Sequence, residues 1–67
     1  MELKSRIKEL RCERELSQRE LAKAIGVSPK AVDFWEHGIN EPKASYIVLL
    51  AKFFEVSTDY LLCVSDD

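Results

Sequence analysis

Between Ser17 and Glu36 the apolar positions fall into two short helical stripes with a sharp break between them. Leu21, Ala22 and Ile25 share one face of the first stripe, and Val32 and Trp35 form the inner face of the second. Each stripe opens on a serine. Ser17 is followed three residues later by Glu20, the spacing of a reciprocal capping box. Ser28 is followed by Pro29, whose missing N–H costs nothing at the first helical position. Gly26 comes directly after Ile25 and suits the left-handed residue that stops a helix. So short a connection makes the two helices cross steeply, with small Ala22 where they approach and Val32 facing it across the corner. Residues 17–36 read as a helix-turn-helix.

The rest of the chain supplies three more helices and predicts no strand. Residues 3–14 form the first, with Leu3, Ile7 and Leu10 as its apolar stripe and Lys4, Lys8, Glu9, Glu13 and Arg14 solvating the remainder. Leu16 plugs the connection to the motif. His37 to Pro42 is a loop carrying turn residues. A long helix follows from about Ala44 to Glu55. Its core face is Ala44, Ile47, Leu50, Ala51 and Phe54, and Tyr46, Leu49 and Phe53 make a second apolar stripe beside it. That is more apolar surface than a monomeric surface helix requires. Ser57 caps a last short helix, Asp59 favours its N-terminal dipole, and Tyr60 to Val64 make it apolar. Residues 65–67 are expected to fray.

Sixty-seven residues suffice for a single domain with one small core. The apolar fraction of 46% is that of a globular protein, and no apolar run approaches the ~20 residues of a membrane helix. No signal peptide is expected. Cys12 and Cys63, the only two cysteines, are too few for a disulfide scaffold and read as reduced thiols of a cytoplasmic protein. The net charge of −2 argues against a nucleic-acid partner until its distribution is considered. Residues 1–30 carry eight Lys/Arg against five Glu, a balance of +3. The remainder carries two lysines against seven acids, a balance of −5. A weakly basic half is compatible with phosphate on one side of the molecule.

Ordered matches along the chain resemble the Cro/CI phage-repressor type, also called the xenobiotic-response-element or lambda-repressor-like family. They are Leu-Ser-Gln-x-x-Leu-Ala at 16–22, Ile-Gly-Val-Ser at 25–28 and Val-x-x-Trp-Glu-x-Gly at 32–38. Glu-Pro at 41–42, Leu-Ala-Lys at 50–52 and Val-Ser-x-Asp-Tyr-Leu-Leu at 56–62 complete the series. The resemblance implies an all-α, compact five-helix DNA-binding domain with the motif formed by its second and third helices. It implies that the helix starting at Ser28 lies in the major groove, with Ser28, Pro29, Lys30, Asp33 and Phe34 placed to meet bases. Gln18, with Arg19 beside it, and Asn40 and Lys43 beyond the motif fall where such proteins hold phosphate; His37 joins them as a loop histidine near the backbone. Arg11 and Glu36 match an internal ion pair.

Five departures bear on readout. Pro29 and Phe34 replace long polar residues, Asp33 adds repulsion near phosphate, Lys43 replaces a capping Ser or Asp, and Cys63 stands where glycine commonly ends the last helix. Phe34 suits either a thymine methyl or a protein contact. The chain therefore reads as a transcriptional regulator, a repressor in the first instance, bound to a palindromic double-stranded operator. The alternative is a protein-interaction module of antitoxin or antirepressor type on the same fold. A homodimer is expected through Tyr60, Leu62 and Val64. One histidine and scattered carboxylates supply neither a catalytic constellation nor a metal set, and neither a cofactor nor a small-molecule ligand is expected.

Overall fold

A computed structural model of the chain describes residues 1–65, and each stretch with helical periodicity is a helix. The order is α1 (Leu3–Glu13), α2 (Gln18–Ile25), α3 (Pro29–His37), α4 (Ala44–Phe54) and α5 (Thr58–Leu61). No strand occurs among the described residues. The starts of α2 and α3 are built as their sequences dictate. Ser17 Oγ accepts the Glu20 N–H at 3.0 Å and Glu20 accepts the Ser17 N–H at 2.9 Å, so the capping box is complete. Those two bonds hold the Glu20 carboxyl below its ordinary value, the backbone bond foremost. Ser28 Oγ accepts the Ala31 N–H, and Pro29 opens α3.

Each helix ends the same way. A residue in the left-handed region is followed by one whose N–H reaches back five positions: Leu16 to Arg11, Val27 to Ala22, Ile39 to Phe34, Val56 to Ala51 and Val64 to Asp59. The left-handed residue is glycine at Gly26 and Gly38, but Glu15, Glu55 and Cys63 occupy the other three ends. α4 therefore stops at Phe54, one residue short of the expected Glu55.

The core lies where the five helices converge. Ile7, Leu21, Ala22, Val32, Leu50 and Leu61 are fully enclosed, and Trp35 is 5% exposed, its ring 5.8 Å from that of Tyr46. Ala44, expected in the core, is exposed: it is the first residue of α4, one turn beyond Ile47, past the edge of the packing. The second stripe of α4 divides. Tyr46 and Phe53 turn in against the core, while Leu49 and its neighbour Val48 remain exposed.

Two arginines prove structural, and one of them, Arg14, was expected to be solvated. Arg6 is buried, with its guanidinium 3.7 Å from the centroid of the Tyr60 ring. Arg14 donates to the Phe54 carbonyl at 2.9 Å, closing the C-terminal end of α4. Of the tail expected to fray, Asp66 and Asp67 lie outside the described residues, and the Ser65 N–H lies 3.3 Å from the Asp59 carbonyl.

Candidate nucleic-acid interface

Only Val32 and Trp35 of α3 are buried, so the first turn of that helix projects from the body of the domain. Ser28, Pro29 and Lys30 are exposed there. The Lys30 ammonium reaches along the helix to 5.8 Å from the centroid of the Phe34 ring, a loose cation–π contact one turn on. A groove runs between this face and the loop entering α4. Val27, Ala31, Phe34 and Tyr46 supply its apolar lining. Ser28, Lys30, Asn40 and Lys43 also line it, with Glu41 the single carboxylate. Residues expected separately to meet bases and phosphates thus surround one concavity. Neither Lys30 nor Lys43 has an ion-pair partner among the described residues.

Beside the groove, a polar chain links three helices. Arg11 on α1 binds Glu36 on α3 through two bonds, Nε at 2.6 Å and Nη2 at 2.9 Å. Its Nη1 donates to the Leu16 carbonyl at 2.8 Å. The pair is enclosed, with side-chain exposures of 12% for Arg11 and 2% for Glu36. The bond to Glu36 holds the Arg11 guanidinium above its ordinary value. Gln18 then donates its amide to both Asp33 Oδ1 at 3.1 Å and Glu36 Oε1 at 3.2 Å. His37 Nδ1 lies 2.8 Å from the Asp33 carbonyl and 3.2 Å from its Oδ1. Both neighbours are acceptors, so Nδ1 carries the hydrogen.

The ion pair matches the sequence reading. The engagement of Gln18 and Asp33 was not anticipated, although one signal pointed to it: Asp33 and Glu36 are three apart on α3, hence on one face. Arg19 is exposed on the first turn of α2. The capping box leaves the backbone N–H groups of Gln18 and Arg19 open on that same turn. The residues expected at a dimer interface sit together on and after α5. Leu62 is 40% and Val64 72% exposed, whereas one face of the Tyr60 ring is already covered by Arg6.

Known proteins resemble this chain in sequence and fold. The helix-turn-helix family profile matches residues 7–61. The chain is 39% identical over 62 residues to the transcriptional repressor RstR of the cryptic phage CTXphi in Vibrio cholerae, covering 92% of this chain and 56% of that protein. It is 32% identical over 62 residues to the HTH-type transcriptional regulator YobD of Bacillus subtilis, covering 92% and 55%. The chain thus spans about half the length of these curated relatives. Among solved structures, the P22 c2 repressor in complex with synthetic operator 9T superposes with a TM-score of 0.87 at 34% identity, over 92% of this chain and 94% of that one. By profile, relatives and fold, the chain belongs to the helix-turn-helix family, in its Cro/CI phage-repressor type.

Proposed function

We propose that this domain binds double-stranded operator DNA as a transcriptional regulator, with α3 in the major groove and base contacts drawn from Ser28, Pro29, Lys30 and Phe34, while Asp33 stays engaged by Gln18 and His37. One observation carries the reading: the exposed start of α3 shares a concavity with Asn40 and Lys43, and both groove lysines are free of internal ion pairs. Unpaired cations flanking a projecting helix are the electrostatic footprint of a duplex partner. The likeness to a repressor solved in complex with a synthetic operator supports a DNA partner.

Phosphate is held by Lys43, Asn40 and His37 on one side and by the start of α2 on the other. There the backbone N–H groups of Gln18 and Arg19 point along the helix axis, the geometry that favours anions. The Gln18 amide has both hydrogens engaged, so it orients the turn rather than reaching outward. Two domains pair across Leu62 and Val64, with the edge of Tyr60 beside them, and read half-sites about one helical turn apart. The protein then works in the cytoplasm as a repressor that occupies its operator.

Duplexes selected from a randomised pool, measured over a salt series, test the proposal. Log affinity should fall linearly with log salt, and Lys43→Ala should make the slope shallower by about one phosphate's worth. Failure to retain any duplex at low salt overturns the proposal and favours a protein-interaction module.

A further inference from the structure

We infer that the α3 groove reads a thymine 5-methyl group within two base pairs of a guanine, with Phe34 as the methyl contact and Lys30 as the donor to guanine; this rests on the DNA reading above. The inference comes from which hydrogen-bonding groups on α3 are still free. Recognising adenine calls for an amide that donates and accepts together, and recognising cytosine calls for an acceptor for its N4 amine. The carboxylate on the exposed part of α3 is Asp33, which already accepts from Gln18 and sits against His37. The amide nearest α3 is Gln18, whose hydrogens go to Asp33 and Glu36. Using either on a base breaks a bond within the domain. Asn40, the one side-chain amide that lines the groove, belongs to the loop beyond α3 and is proposed above to hold phosphate. Ser28 caps the helix, and its remaining hydroxyl proton suits any acceptor, so it does not discriminate.

What remains on this face is one ammonium and an apolar surface. An ammonium pairs with guanine O6 and N7, and an apolar surface matches the thymine methyl, the one apolar group that base edges show in the major groove. Ala31 and Phe34 lie one turn apart on the same side of α3 and both line the groove, giving the methyl two carbon walls. The Lys30 ammonium is 5.8 Å from the Phe34 centroid. Base edges along a strand rise about 3.4 Å per step, so ammonium and ring fall within one to two base pairs of each other. Charge complementarity selects DNA over an apolar protein partner here, because lysines from two separate segments line the groove against a single carboxylate.

Duplexes selected from a randomised pool, then resynthesised with deoxyuridine in place of thymidine one position at a time, give the test without altering the protein. At one position in each half-site, loss of the methyl should weaken binding about fourfold, the burial of one carbon. Phe34→Ala should erase the difference between thymidine and deoxyuridine there, and Phe34→Leu should keep part of it. Lys30→Ala should keep the methyl effect and lose the preference for guanine within two base pairs of it. Tight binding with deoxyuridine tolerated everywhere overturns this inference and leaves DNA binding standing. Methyl sensitivity that persists in a folded Phe34→Ala protein overturns the assignment to Phe34. Binding to no duplex at all overturns both, and an apolar protein captured through Phe34 then becomes the better account of the groove.

Discussion

Truncating Glu36 to alanine removes the carboxylate on which α1 and α2 both lean against α3. Its two bonds to Arg11, at 2.6 and 2.9 Å, lie in an enclosed site where Glu36 is 2% exposed. Without it the Arg11 guanidinium keeps one bond, from Nη1 to the Leu16 carbonyl, and 12% of its surface in water. Breaking a buried pair from one side costs roughly 3–5 kcal/mol, chiefly because an uncompensated charge remains. The retained carbonyl bond and the partial exposure place this case at the lower end, about 3 kcal/mol. A chain of this size has ~3–10 kcal/mol in total, so the loss is a large share of it. At ~4–8 °C per kcal/mol, the midpoint of a far-ultraviolet circular dichroism melt should fall by ~12–24 °C. The double substitution Arg11→Met with Glu36→Leu should recover most of that loss, since apolar groups of similar volume replace a buried pair at little cost. Added salt should hardly change the parent's advantage, because an enclosed pair is weakly screened. A Glu36→Ala protein melting within ~4 °C of the parent would refute the reasoning, for the pair would then be worth no more than a surface contact.

Three further outcomes follow from the helix ends and the exposed apolar surface. Cys63→Gly removes the penalty of a left-handed residue with a Cβ, at φ 63°, and should raise the melting midpoint by several degrees, about 1 kcal/mol after the entropy of glycine is set against it. Glu20 titrates below its ordinary 4.5 when folded, so its contribution is present above that value and is lost as pH falls through the lower folded-state value. Melts of Glu20→Gln over a falling pH series should therefore show a flatter acid limb than the parent, and parallel limbs would contradict the capping box. Leu62→Asp should give a folded monomer with much weaker operator binding, read by sedimentation and by duplex titration. An unfolded Leu62→Asp protein would instead place Leu62 in the core.

The features legible in the sequence were those set by local chemistry. Ser17 with Glu20, Ser28 with Pro29, and Gly26 fix the ends of α2 and the start of α3 within a few residues of themselves. The stripes Leu21/Ala22/Ile25 and Val32/Trp35 fix which faces meet. Features that depend on what another helix brings were harder to see. Arg6 stands at a core position, three after Leu3 and four before Leu10, yet its charge marks it as surface. Tyr60, brought over it by α5, and Glu9, 3.9 Å from its Nε, make its burial tolerable. The ends of α1, α4 and α5 lack glycine, so nothing in Glu15 or Glu55 announces a left-handed turn, and Cys63 does so only by standing where the family commonly has glycine. The signal lay one residue later, in the apolar Leu16, Val56 and Val64 whose N–H groups close those ends. In the candidate site, the positions on α3 were legible, but the bonds from Gln18 to Asp33 and Glu36 follow from how α2 crosses α3.

That crossing also resolves the acidic balance of the second half, which taken by itself argues against a duplex partner. Glu36 is consumed by Arg11, and Asp33 is held between Gln18 and His37. Glu55 stands at the far end of α4, within 3.9 Å of Arg14, and Asp59 lies in the first turn of α5. Apart from Glu41, which lines the groove itself, the described acids of this half are thus paired beside the groove or placed on other elements, while Lys30 and Lys43 line the groove unpaired. Net charge is therefore a poor guide to this molecule, and charge by face a better one. On the proposed reading the same count limits the electrostatic contribution. With Lys30, Lys43 and Arg19 as its main cations there, one domain neutralises only a few phosphates, and counterion release supplies correspondingly little affinity. The remainder has to come from apolar contact at Phe34 and from joining two domains on one duplex. That is consistent with a chain that leaves carbon exposed at both places, on the α3 face and after α5.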